Sequence, residues 1–268
     1  MDFSKRLEMA TNTQTSPQEL AQLTNDPSPD VRESVAGDPT TPPEVLTQLA
    51  KDKCWEVRLA VAKNPNTPTK VLRQLAGDKD EWVREAVPKN PNTPTEVLRQ
   101  LAGDKNEWVR LAVAGNPTTP PEVLTQLARD EHKLVRYAVA RNPQTPPEVL
   151  RQLAQDQDWG VRAAVARNPR TPVEAVNWLA QEPCLRFSIL ESFSKRSTES
   201  LFELAAQANP ALAQLLVEYH KENPLPLQVL QAGMKGKQSE LFCEALDRSS
   251  SLYVLQEAFS LLHKEPER

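Results

Sequence analysis

Along the chain, apolar positions fall into one short phrase that is spoken again and again. In the segment opening at Pro42, Val45, Leu46 and Leu49 stand at helical spacing, and after a polar interval Val57, Ala60 and Val61 do so again. Two short amphipathic helices are therefore predicted, the second of about ten residues. Neither stripe is wide enough to form a core of its own, so the segments must stack to bury them. The phrase returns at Pro68, Pro94, Pro120 and Pro146 with a constant spacing of 26 residues and no insertion. Looser copies begin at Ser16 and Pro172, and residues 6–15 match the second half of a unit.

Punctuation supports the same division. Each second helix should stop at the asparagine of an Asn-Pro pair such as Asn64-Pro65, because the residue before proline is driven out of the helical region. The next helix is expected to start at Thr41-Pro42-Pro43-Glu44 as a capping box, the threonine accepting from a backbone amide and the glutamate reaching back. Thr93 with Glu96, Thr119 with Glu122, Thr145 with Glu148 and Thr171 with Glu174 repeat it, whereas Lys70 departs from it after Thr67. Recurrent small residues, Ala50, Ala60 and Ala62, imply close packing between units, and one element of each pair fits 3₁₀ as well as α geometry. The expectation is an all-α, right-handed α-solenoid of 26-residue repeats.

Three regions follow from the regularity: a partial repeat or cap over residues 1–15, regular repeats over 16–180, and degenerate repeats with a helical cap over 181–268. In the last, Thr198 to Ala206 keeps apolar Leu201, Phe202, Leu204 and Ala205, and Asn223-Pro224-Leu225-Pro226 resembles a worn connector. Ser239 to His263 reads as a closing helical pair.

Composition adds exclusions. The 24 prolines against 7 glycines fit a repeated helix start, and a net charge of −4 gives no whole-chain pull toward nucleic acid or anionic lipid. No apolar run is long enough for a membrane span and no signal peptide is evident at the start, which predicts a cytoplasmic protein. Cys54, Cys184 and Cys243 are too dispersed for a disulfide framework or a local metal site, and are expected to be reduced and mostly buried.

The units, of the form NPxTPxEVLxQLAxDxxxxVRxAVA, resemble the leucine-rich repeat variant family and, more distantly, HEAT and armadillo repeats, specifically over residues 6–180 and weakly beyond. This resemblance implies a superhelix of alternating α and 3₁₀ helices without strands. Some members carry an N-terminal domain in which four clustered cysteines hold a 4Fe-4S cluster. The first 53 residues here contain no cysteine, so that activity does not carry over and no cofactor or metal is expected.

Candidate residues fall into rows. Arg32, Arg58, Arg84, Arg110, Arg136 and Arg162 recur with Asp26, Asp52, Asp78, Asp104, Asp130 and Asp156 at a fixed separation, which reads as a structural charge ladder before it reads as a phosphate cradle. Asn64, Asn90, Asn116, Asn142 and Asn168 are expected to tie down the connectors. Tryptophan behaves differently. Trp55 and Trp159 stand two residues before the Val-Arg pair, while Trp82 and Trp108 stand directly before it, and a core position would not shift in this way. Two readings stay open: partly exposed interface anchors, or rings lying over the neighbouring unit.

Arg73, Arg99 and Arg151 on the first helices, and Lys63, Lys89, Arg141 and Arg167 before the connectors, form basic rows. Residues 42–171 hold 20 Lys and Arg against 16 Asp and Glu, a hint of an acidic partner. The histidines have no metal-binding spacing and no nucleophile elbow or phosphate loop is present, which argues against an enzyme. The sequence thus predicts a non-catalytic scaffold binding a protein or peptide, with Trp55, Trp82, Trp108, Trp159, Arg73, Arg99 and Arg151 as candidate contacts. A nucleic-acid-binding solenoid using the basic rows is the alternative, and an enzymatic or redox role in the C-terminal part is a third.

Overall fold

A computed structural model describes residues 2–12, 14–236 and 238–242, and the chain divides into two compact units, Met1–Gln144 and Thr145–Arg268. The first unit contains α1 (Phe3–Thr11), α2 (Pro17–Gln22), α3 (Pro29–Gly37), α4 (Pro43–Leu49), α5 (Trp55–Lys63) and α6 (Thr69–Leu75). It continues with α7 (Glu81–Lys89), α8 (Thr95–Leu101), α9 (Glu107–Gly115), α10 (Pro121–Leu127) and α11 (Lys133–Arg141). Among the described residues there is no strand, and no helix is long and apolar enough to cross a membrane.

The nine-residue second helices stack in sequence, α1 on α3, α3 on α5, α5 on α7, α7 on α9 and α9 on α11. Each seven-residue first helix lies between two of them, as α4 does between α3 and α5. Val45, Leu46 and Leu49 of α4 and Val57, Val61 and Ala62 of α5 are all buried in the core between the two helices and their neighbours. Burying one such leucine is worth about 2–3 kcal/mol, so a unit without its neighbours would lose most of its folding drive.

Local geometry explains the helix ends. Asn64 is extended (φ −68°, ψ 126°), as a residue before proline must be, and closes α5. The first helices are α-helical, with i→i−3 bonds at both ends: the Val45 amide donates to Pro42, and those of Lys51 and Asp52 donate to Gln48 and Leu49. The 3₁₀ character expected for a whole element is thus reduced, in the regular units, to flanking bonds such as these and those from Asn64 to Val61 and Asn90 to Val87 at the ends of second helices. Short 3₁₀ segments occur instead at Leu23–Asn25 and Pro183–Leu185.

Three sequence expectations are corrected. A capping box forms at Ser16 and Glu19, but in the regular units the matching N-cap position is proline, which has no hydroxyl to offer. The threonine one residue earlier points backward, and Thr41 Oγ1 donates to the Val35 carbonyl at 2.6 Å, as Thr67 does to Val61 and Thr119 to Val113. It therefore fastens the end of the previous helix. Ala60 is not core: its small side chain lies half-exposed, facing outward on α5. Of the cysteines, Cys54 is half-buried and Cys184 exposed, because both stand in the connector between a first and a second helix; Cys243 lies outside the described residues.

The second unit contains α12 (Pro147–Leu153), α13 (Trp159–Arg167), α14 (Val173–Leu179), α15 (Arg186–Phe193), α16 (Thr198–Gln207), α17 (Pro210–Glu222) and α18 (Leu227–Lys235). Here α13 packs on α15, α15 on α17 and α16 on α18. Arg186 of α15, one step beyond Arg162 along the chain's ladder, pairs with Glu218 of α17. The ring of Phe242 rests where a Cβ on Gly233 would lie, which keeps that position of α18 free of a side chain. The closing helical pair expected from Ser239 to His263 falls mostly outside the described residues.

Candidate functional site

Much of the polar repetition serves the stack. The Arg58 Nε and Nη2 donate to the Asp78 carboxylate of the next unit at 2.7 and 2.8 Å, and its Nη1 donates to the Asp52 carbonyl at 2.8 Å. Arg32 with Asp52, Arg84 with Asp104 and Arg110 with Asp130 repeat the clamp, Arg6 with Asp26 begins it, and Arg162 finds Glu182 in the second unit. Burial pushes the Asp78 carboxyl up. The Arg58 hydrogen bond, the Asp80 amide and the charges of Arg58 and Lys79 together outweigh it and hold the group below the ordinary aspartate range. Asp52, Asp104 and Asp130 are depressed by the same balance, and Arg58 is raised by its bond to Asp78.

Asparagine performs the parallel task at the other end of the second helices. Asn90 Nδ2 donates to the Ala62 and Asn64 carbonyls of the preceding unit at 2.9 and 2.8 Å, and its Oδ1 accepts from the Asn92 amide. Asn64 and Asn142 make the same pair of bonds, and Asn116 holds the Pro88 carbonyl. These carbonyls lie at helix C-termini, where no intrahelical donor reaches them. Both rows are buried and satisfied by the fold, so they leave the outer surface to other residues.

Of the candidate contacts, Arg73 Nη2 binds Glu96 Oε1 and Arg99 Nη2 binds Glu122 Oε1, both at 2.5 Å, and Arg151 pairs with Glu174 at 3.5 Å in the second unit. All six side chains are exposed and each pair joins successive first helices. The tryptophans stand on second helices. Trp55, at the first position of α5, is half-buried, while Trp82 and Trp108, at the second position of α7 and α9, are 55% and 45% exposed. Trp159 opens α13 of the second unit and is also exposed. Exposure therefore does not follow repeat position alone: Trp159 shares the position of half-buried Trp55 and is 66% exposed.

Residues missed by the sequence reading complete this surface. Leu134 occupies the Trp82 and Trp108 position in the next repeat and is 37% exposed. On α9, Trp108, Leu111, Ala112 and Gly115 share one helix face at i, i+3, i+4 and i+7, and on α11 Leu134, Tyr137, Ala138 and Arg141 do the same. Near the C-terminal ends of α7 and α9 this face opens into a groove of 580 Å³, lined chiefly by Pro88, Pro91, Leu111, Ala112, Gly115 and Pro117. Two repeats earlier the equivalent groove is only 240 Å³, with Lys63 where the larger one has Gly115. A Cβ at Gly115 would meet nothing within 4 Å, so packing does not require glycine there. The signal available in the sequence was apolar Leu111 and Tyr137 at a position that is Glu33 and Glu85 in other repeats.

Stacked short helices, buried inter-unit clamps and a variable outer face define a helical-repeat solenoid. The leucine-rich repeat variant domain model matches residues 30–90 and 135–183, and the leucine rich repeat variant model matches residues 107–132. The chain belongs to the leucine-rich repeat variant family. Among solved structures it is similar to one described as a leucine-rich repeat variant with a novel repetitive protein structural motif, at 29% identity and a TM-score of 0.56 over 79% of this chain and 85% of that one. An X-ray structure of the E. coli protein YibA aligns at 19% identity and a TM-score of 0.42 over 91% of this chain and 95% of that one. A search of curated proteins gives no match.

Proposed function

We propose that the protein is a non-catalytic scaffold that binds a protein partner on the outward face of its second helices, in particular α7, α9 and α11. The observation that carries this reading is the row of Trp82, Trp108 and Leu134, large apolar side chains left in solvent at one repeat position while the same helices bury their opposite side completely. Exposed aromatic rings beside an apolar groove are the usual anchors of a protein interface. The first-helix basic row supports the same choice over nucleic acid, because Arg73, Arg99 and Arg151 are paired with Glu96, Glu122 and Glu174.

The test is site-directed photo-crosslinking of the full chain. A photoreactive amino acid replacing Trp108 should capture one predominant partner, identified by mass spectrometry, whereas the same group replacing the exposed Thr125 of α10 should not. Equal capture from both positions, or none from position 108, would remove the assignment of this face.

A further inference from the structure

We infer that the face of α7, α9 and α11 takes an extended partner segment in polyproline II geometry, with an apolar side chain at every third residue and carboxylates along a second edge. This rests on the scaffold reading above and specifies the partner's chemistry.

Pitch is the first argument. Packed helices lie about 8–10 Å apart, so Trp82, Trp108 and Leu134 present one apolar contact at each such step. A polyproline II strand makes one turn in three residues and rises about 9 Å in doing so, which sets side chains of one edge at the same interval. An α-helix laid across these helices reaches a comparable interval, about 10.5 Å, only at every seventh residue, so it spends more than twice the chain on each contact that the extended strand makes at every third. Shape is the second argument. The groove between α7 and α9 is walled by Pro88, Pro91, Pro117 and Leu111, a shallow apolar channel of the kind into which a preordered extended chain lays its side chains with little loss of entropy.

Charge gives the second edge. Lys63, Lys89 and Arg141 occupy one repeat position, at or beside the groove, with Gly115 between them. Among the described residues Lys63 and Arg141 have no carboxylate partner, Arg141 lying 5.7 Å over the Tyr137 ring, while Lys89 is shared with Glu85 at 2.5 Å. On α3 the same face carries Asp30 and Glu33, and on α5 and α7 those positions hold Glu56 and Glu85, the latter paired with Lys89, so an acidic segment meets least repulsion along α9 and α11.

The experiment is a titration of the full chain followed by the indole ¹H–¹⁵N signals of its tryptophans, with synthetic peptides built from Leu-Pro-Glu triplets, Leu-Pro-Lys triplets or Ala-Pro-Glu triplets. The Leu-Pro-Glu peptide should shift the Trp82 and Trp108 signals in a saturable way and leave Trp159 unmoved. The other two peptides should bind at least about tenfold more weakly. Gly115→Gln, which places a neutral side chain in the groove, should weaken the Leu-Pro-Glu peptide about fivefold or more without lowering the melting temperature. No shift at Trp108 with millimolar peptide, equal binding of the lysine peptide, or no effect of Gly115→Gln would overturn the inference. If position 108 still crosslinks a partner while the peptide leaves the indoles unmoved, the binding face stands and only the extended acidic occupant falls.

Discussion

Arg58 and Asp78 meet across successive repeats, two guanidinium nitrogens on two carboxylate oxygens at 2.7 and 2.8 Å, with both side chains more than nine-tenths removed from water. The pair does more than balance charge. The third guanidinium nitrogen of Arg58 holds the Asp52 carbonyl of its own repeat, and Asp78 Oδ1 also accepts from the Asp80 amide, so one contact sets the register of two connectors. Removing either partner strands the other in a buried position.

Arg58→Met is therefore expected to cost about 3 kcal/mol in urea unfolding, because Asp78 keeps its charge and loses its partner. Arg73→Met, which breaks an exposed pair with Glu96, should cost less than about 1 kcal/mol. Equal losses from the two variants would show that burial of the ladder does not set its energetic weight.

Stability should fall in acid, with a sign fixed by the direction of the aspartate shifts. Asp52, Asp78, Asp104 and Asp130 are held below the ordinary aspartate value, so each binds protons more readily in the unfolded chain. Their contribution is present above about pH 4 and is lost as pH falls through the depressed folded values. Thermal melts should change little from neutral pH to about pH 5 as far as these groups are concerned, then drop steeply below about pH 4. Asp78→Asn should start from a lower melting temperature and show a shallower acid drop.

The asparagine staples give a sharper substitution. Asn90→Asp keeps size and shape but replaces the amide nitrogen that donates to Ala62 and Asn64 with an oxygen facing two carbonyls. A loss of about 3 kcal/mol or more in chemical unfolding is expected, larger than for Asn90→Ala. A neutral outcome would mean that these carbonyls find water as readily as protein.

A gain is available at α11. Asp80, Asn106 and Asp158 cap their helices by accepting from the amide two residues on, whereas His132, at the same repeat position, makes no such bond and leaves its buried Nδ1 without a partner. His132→Asp should raise stability by about 1 kcal/mol, read as a higher melting temperature at neutral pH.

The stack itself was legible because its causes repeat. Asn64 before Pro65 states where a helix must end, and arginines and aspartates at separations kept in every regular unit announce a charge ladder, though not whether its pairs form within a unit or between units. What sequence left open depended on one-residue offsets. Thr41 precedes a proline that takes the N-cap, so its hydroxyl turns to Val35. The outer face was half legible: the tryptophans stood out by changing position, while Leu134 and Gly115 are ordinary residues whose meaning appears only beside Trp108 and the open groove. Exposed Phe187 in the second unit was likewise hidden where the repeat loses its register, and Phe202, apolar in the sequence, turns out to be 46% exposed.

The most direct test joins stability and capture in one variant. Trp82→Ala with Trp108→Ala should melt within about 2 °C of the parent chain, since removing solvent-facing rings leaves the core intact, and should lose the partner that position 108 crosslinks. A melting temperature lowered by about 8 °C or more with capture undiminished would make those rings packing residues and contradict the account.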